Sequence, residues 1–138
     1  MNDKNQNAGL FGLGEANTAY QQYFTGNSYL NGLVAAADEI DVTVANVTFE
    51  PGCRNNWHIH HNGFQILLVT SGEGWYQEAG KPAQLLHPGD VVTIHEGVKH
   101  WHGATKDSWF SHVAITKGTS EWLKPVSDQA YAQLMEAQ

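Results

Sequence analysis

Residues 52–72 read GCRNNWHIHHNGFQILLVTSG. His58 and His60 alternate with Trp57 and Ile59, and 64–70 is a run of β-formers closed by Ser71-Gly72, so both halves read as strand. Side chains in a strand alternate faces, which puts His58 and His60 on one side, about 7 Å apart along the chain. Two imidazoles so placed reach one cation if a third ligand comes from a neighbouring strand, and a side-chain amide oxygen can add a harder donor. Gln65 opens the apolar half and shares a face with Leu67 and Val69. Taken alone, His58 and His60 have a competing reading as an exposed His-x-His pair in a loop.

Outward from this segment the pattern stays β. Upstream, Val42 and Val44, then Val47 and Phe49, alternate with other residues, with a phase slip at Ala45-Asn46 where a bulge is expected. Pro51-Gly52 ends that strand. Downstream, Trp75, Tyr76 and Gln77 start another strand, Gly80-Lys81-Pro82 and His87-Pro88-Gly89-Asp90 are turns, and 91–94 and 109–116 are further strands. Turns recur roughly every ten residues, as an all-β sandwich or barrel requires. Residues 1–16 are rich in Asn and Gly and read as a loose arm, and Tyr20, Tyr23 and Phe24 fall at helical spacing before Gly26. A C-terminal helix follows Pro125, with Ser127 as N-cap, Asp128 in the first turn, and Ala130, Tyr131 and Leu134 on one face.

The composition narrows the function. The 138 residues weigh 15.2 kDa, one domain. Seven Lys+Arg against 14 Asp+Glu give a net charge of −7, which repels nucleic acid and anionic membrane surfaces. One cysteine, Cys53, forms no intrachain disulfide and reads as a small buried residue. The chain starts with a polar run, Met1-Asn2-Asp3-Lys4, and its longest purely apolar runs are short, as in Ile66-Leu67-Leu68-Val69, so a cytoplasmic protein is expected. Histidine is over-supplied: eight of them exceed the Lys+Arg total.

A second histidine group, Lys99-His100-Trp101-His102, puts His100 and His102 on one face. His112 shares a face with Phe110 and Ala114. If that face is interior, His102 and His112 are acid/base candidates; the other reading of His112 is a buried imidazole bonded to backbone. His61, His87 and His95 read as solvated or structural. Trp57, Trp75, Trp101 and Trp109 read as packing, and Glu50 and Arg54 as surface charge or a local ion pair.

The spacing resembles the cupin superfamily. Gly52, five residues, His58-x-His60, four residues, Gln65, six residues and Gly72 match its first motif; Gly89 and the later His100 match its second, with His95-Glu96-Gly97 where Pro-x-Gly is usual and Ala104 where asparagine is. The resemblance covers roughly residues 42–116. It implies a small jelly-roll-like antiparallel barrel over 27–126, between an N-terminal arm (1–26) and a C-terminal helix (127–138). It also implies one divalent metal held by His58, His60, Gln65 and His100, with glutamine where the superfamily has glutamate. The strings WHIH, ILLVTSGEGW, LLHPGDVV and KHWHGA are similar to the branch of small cupins that includes bacterial manganese-dependent hydroxynitrile lyases and the cupins associated with carboxymuconolactone decarboxylases. There glutamine is common at the acid position and histidines matching His102 and His112 line the active site. This chain has one more residue between His60 and Gln65 than those lyases, which is expected to reshape the pocket mouth.

The resemblance therefore implies a metal-dependent enzyme of lyase type acting on a small molecule, with His102 and His112 as the catalytic pair. Manganese is the expected metal, with iron, nickel or zinc as alternatives, and a homodimer is the expected assembly. Three imidazoles and an amide leave the ion's charge uncompensated, which suits an anionic oxygen or cyanide. A metal-dependent dioxygenase and a non-catalytic metal-bearing binding module are the other readings.

Overall fold

The structure, a computed structural model, describes residues 7–136. Its spine is two long strands whose sequences carry the alternation described above. β6 (His58–Gly72) runs antiparallel to β11 (Phe110–Trp122), from Trp122 opposite His58 to Phe110 opposite Gly72. Around them lie β1 (Glu15–Ala16), β2 (Phe24–Thr25), β3 (Ser28–Val34), β4 (Thr43–Phe49), β5 (Arg54–Asn55), β7 (Gly74–Glu78), β8 (Gln84–Leu86), β9 (Val91–Ile94) and β10 (His100–Ala104). They form one curled antiparallel sheet in the order β1-β3-β4-β11-β6-β10-β5-β2, with β9 on β6, and β7 bridging β10 and β8. The concave face holds the main core, which includes Phe49, Leu67, Val69, Ile94, Phe110 and Ala114. Among the described residues no helix is long and apolar enough to cross a membrane.

The sequence suggests two strands where the structure has one. β6 continues from His58 through Gly72 because a bulge absorbs the change of phase between its halves. Two of its residues, Asn62 and Gly63, stand opposite the single Gly118 of β11. Asn62 and Gly118 both take positive φ, 61° and 94°, and a Cβ on Gly118 would lie 2.2 Å from the His61 carbonyl oxygen. The bulge turns odd-numbered residues inward after even-numbered ones. His58 and His60 are buried before it, and Gln65, Leu67 and Val69 after it. The residue in excess of the β11 pairing is taken up here, on the outside, where the Asn62 N–H donates to Glu96 Oε2 at 2.8 Å.

The phase slip at Ala45-Asn46 has a different cause from the expected bulge. β4 keeps unbroken register with β11, and the irregularity lies on its β3 side, between Gly32 and Val34. Asn46, Val47, Thr48 and Phe49 are all buried because both faces of β4 are covered. The outer cover is the segment expected to be a loose arm. Ala8 and Leu13 are buried there with Tyr29, packed against Trp109. Asn46 Nδ2 donates to the carbonyls of Ala8 (3.1 Å) and Gly12 (2.8 Å), and Ser111 Oγ donates to Ala8 at 2.9 Å. Small polar side chains on the sheet's outer face thus satisfy the backbone of an otherwise irregular strap. Residues 1–6 of the expected arm lie outside the described residues. The expected helical turns before Gly26 reduce to a 3-10 turn at Gln21–Tyr23, followed by β2.

Helix α1 (Asp128–Glu136) starts where its cap predicts, with Ser127 Oγ accepting from the Ala130 N–H at 3.1 Å. The last two residues of the expected helix, 137–138, lie outside the described ones. Tyr131 packs with Trp75, Trp101 and Val126, and its hydroxyl donates to the Ala104 carbonyl at 2.6 Å. Arg54, read from sequence as surface charge or a local ion pair, is buried instead, and its ion-pair partner is the distant Asp128. Its guanidinium donates to the Val126 carbonyl at 2.9 Å and to Asp128 at 2.7 Å, and stands 4.3 Å from the Tyr131 ring centre. The Asp128 side chain is 95% exposed, so solvent screens the ion pair and the carbonyl and ring contacts carry the weight. Arg54→Ala is expected to destabilise the fold by about 2 kcal/mol, whereas Asp128→Ala leaves the urea midpoint nearly unchanged. Equal effects from the two variants would overturn this apportionment.

Candidate metal centre and cavity

Five of the eight histidines converge inside the barrel, none more than 3% exposed. Strand pairing brings them there. His58 and His60 lie on β6, His100 and His102 on β10, and His112 on β11; His58 and His100 are direct cross-strand partners. The His58 and His100 ring centres are 4.2 Å apart, and His60 lies 5.1 Å from His58 and 5.2 Å from His100.

Backbone bonds set the tautomers. His58 Nδ1 is 2.8 Å from the Asn56 carbonyl, and His100 Nδ1 is 3.0 Å from the Val98 carbonyl. A carbonyl only accepts, so both Nδ1 atoms carry the proton and both Nε2 atoms present a lone pair. His100 Nε2 is buried with no hydrogen-bond partner. An unpartnered buried acceptor beside a second bare Nε2 is the donor set a metal needs, with each ring held through its other nitrogen. His60 is held between Ser120 Oγ (3.2 Å from Nδ1) and Gln65 Oε1 (3.1 Å from Nε2). Gln65 Nε2 in turn donates to Thr116 Oγ1 at 2.9 Å, which aims the amide oxygen at His60.

The tightest trio among the described residues is His58, His100 and His102, whose ligand-capable atoms all lie within 4.8 Å of one another. His60 and Gln65, expected as ligands from sequence, form a bonded pair alongside. His102, expected in the acid/base role, reaches the cluster itself. Its Nδ1 is 3.2 Å from His112 Nε2, leaving its Nε2 for the cluster. Asn55 Oδ1 accepts the His102 backbone N–H at 2.9 Å, and Asn55 Nδ2 lies 3.4 and 3.3 Å from the two ring nitrogens. Near-equal distances put that amide against the ring, not along one lone pair. His112 is buried next to His102, as the interior-face reading requires.

All five imidazoles are neutral near pH 7. Burial, reinforced by neighbouring rings, holds His58 and His102 well below the usual histidine range. Burial lowers His100 to about 4 and His112 to about 3, and lowers His60 against the opposing bond to Gln65. Neutral imidazoles are the form that ligates. The remaining histidines are bystanders: His61 pairs outside with Glu121 at 2.6 Å, His87 lies 3.3 Å from Glu73, and His95 is exposed. Burial pushes the Cys53 thiol up to about 12, which fits a packing residue.

A cavity of about 620 Å³ opens onto this cluster. His58, His60, Gln65, His102 and His112 line it, together with Phe24, Leu30, Val47, Phe49 and Ala114, and Tyr20, Leu33 and Val34 line it where they are also exposed. None of its lining residues is Asp, Glu, Lys or Arg. The sequence reading missed Asn55, Thr116, Ser120 and Trp122, which touch the histidines or Gln65. Each lies opposite or beside its partner only once the strand register is known.

The family profile described as "Cupin domain" matches residues 45–115. An (R)-mandelonitrile lyase of Granulicella tundricola is 42% identical over 113 residues, 79% of this chain and 86% of the lyase. A cupin-like protein of Thermotoga maritima has a crystal structure that matches with a TM-score of 0.85 and 41% identity, over 94% of this chain and 98% of its own. A DMSP lyase of Ruegeria pomeroyi matches at a TM-score of 0.61 and 19% identity, over 92% of this chain and 62% of its own, a likeness of fold alone. With its motif histidines gathered inside a curled antiparallel sheet, the chain belongs to the cupin family.

Proposed function

We propose that this cupin is a metal-dependent lyase that splits a hydroxynitrile, or a related small hydroxy or carbonyl compound, by moving a proton at its oxygen. The observation that carries it is the hydrogen-bonded His102–His112 pair standing beside the bare Nε2 atoms at an uncharged cavity. Identity to a mandelonitrile lyase supports it. His58, His60, Gln65 and His100 would hold the metal, the hydrogen bond between His60 Nε2 and Gln65 Oε1 giving way to it, with manganese the first choice; an ion in that neutral set would supply Lewis acidity to a substrate oxygen.

The chain's own groups supply the rest. His102 Nε2, facing the cluster, takes the hydroxyl proton as the carbon–carbon bond breaks and the carbonyl forms. His112 Nε2, bonded to His102 Nδ1, shares the charge that this creates. Burial disfavours the imidazolium, so the proton returns readily to the leaving cyanide, giving an aldehyde and hydrogen cyanide. With no cation or carboxylate lining the cavity, an uncharged substrate with an apolar body fits best.

The test is cleavage of mandelonitrile, followed by benzaldehyde release, after loading with manganese, iron or zinc. His102→Ala and His112→Ala are each expected to lower kcat on the order of 100-fold with metal content unchanged. Oxygen consumption during turnover would replace this reading by the dioxygenase, and a tightly held, unaltered ligand would replace it by the binding module.

A further inference from the structure

We infer that Trp122 is a positioning residue that fixes the His58 imidazole as a metal ligand, an assignment that rests on the cluster being the metal centre. His58 lies in the middle of three strands, opposite His100 on β10 and opposite Trp122 on β11. The Trp122 indole stacks on the His58 ring, with centres 4.4 Å apart and planes 28° apart. Behind the indole lies Tyr23, parallel to it within 5° at 4.6 Å. The result is a three-layer stack, phenol on indole on imidazole, running from the N-terminal segment to the cluster.

The stack supplies a constraint that hydrogen bonding leaves open. His58 has one bond through its ring, from Nδ1 to the Asn56 carbonyl at 2.8 Å. A single bond at one ring atom still lets the imidazole rock about it, which sweeps Nε2 across the cluster. A flat surface against the ring face removes that motion. The same chain segment provides both restraints, because the Asn56 N–H donates to the Tyr23 carbonyl at 2.8 Å. Tyr23 therefore supports the indole with its ring and the Asn56 peptide with its backbone. Orienting contacts of this kind set metal affinity because a ligand must present its lone pair within a narrow range of angles.

The test measures manganese(II) affinity by calorimetric titration of the full chain. Trp122→Ala is expected to weaken binding at least about tenfold, Trp122→Phe to keep affinity within about threefold because a flat ring remains, and Tyr23→Ala to fall between. A variant with native circular dichroism and wild-type affinity after Trp122→Ala would overturn the inference. A second readout needs no metal. In the metal-free, ¹³C-labelled protein the His58 ring protons are expected to resonate upfield because the indole lies over the ring, and that shift is expected to disappear in Trp122→Ala. Should the wild-type chain take up neither manganese nor iron, nickel or zinc, the metal reading fails, and unchanged His58 signals in Trp122→Ala would separately overturn the stack.

Discussion

Replacing His58 and His100 together by alanine is expected to abolish metal uptake. The two are direct cross-strand partners whose Nδ1 protons are fixed on backbone carbonyls. Removing them takes away both nitrogens that the fold holds ready. Loss of an orienting contact alone lowers affinity by about 10–100-fold, so loss of two ligands goes well beyond that. Elemental analysis of purified protein is the direct measurement, with His61→Ala and His95→Ala as controls that keep full metal. Thermal unfolding adds an independent check. A ligand present at about 100 times its Kd stabilises the folded state by roughly 2.7 kcal/mol, so a chelator should lower the wild-type Tm by several degrees and leave the double variant where it is. Full metal retention in the double variant would sink the assignment of the centre.

The metal-free protein is expected to lose stability steeply between pH 6.5 and 4. The imidazoles buried neutral in the fold have pKa values depressed below that of the unfolded chain. Between the two values the unfolded chain binds more protons, so stability is fully present above about pH 6.5 and falls as the pH drops toward the folded value. For His100, moving from 6.5 to about 4 corresponds to roughly 3 kcal/mol. His112, at about 3, extends the loss below that. A domain has only about 5–15 kcal/mol in hand, so acid unfolding should precede carboxylate protonation. Asp41, held low by Lys117, and Glu78, held low by Lys81, act only below their ordinary ranges near 4. Urea midpoints at pH 7, 6, 5 and 4.5 check the window, and His112→Phe should leave the lower part of the curve shallower. A midpoint constant from pH 7 to 5 would contradict the neutral, buried state of these rings.

The parts of the site legible in sequence were those that alternation alone determines. His58 with His60, and His100 with His102, share faces because strand geometry has a period of two, whatever the neighbours are. Ser127 announces the helix because a cap is a local device. The single strand through His60 and Gln65 was not legible, since its continuity depends on Gly118, more than fifty residues away, making room for a bulge. Arg54 likewise looks like surface charge until α1 folds back to supply the Val126 carbonyl and the Tyr131 ring. The strap over β4 is hidden for the same reason: Asn46, Thr48 and Ser111 are polar residues whose burial needs partners from the start of the chain. Trp122 follows the same rule, because its partner is set by register and not by neighbourhood.

At the bulge between His60 and Gln65, chain length and side-chain face become independent. In an uninterrupted strand an insertion of one residue exchanges inside for outside over everything that follows, and the core of this barrel would then present Ile66 and Leu68 in place of Leu67 and Val69. Here the odd residue is absorbed where Asn62 is exposed and Gly118 offers no side chain to obstruct it. Relatives that differ by one residue at this point can therefore share the same interior, and a gap in their aligned sequences marks a change of outline with the lining of the cavity left intact.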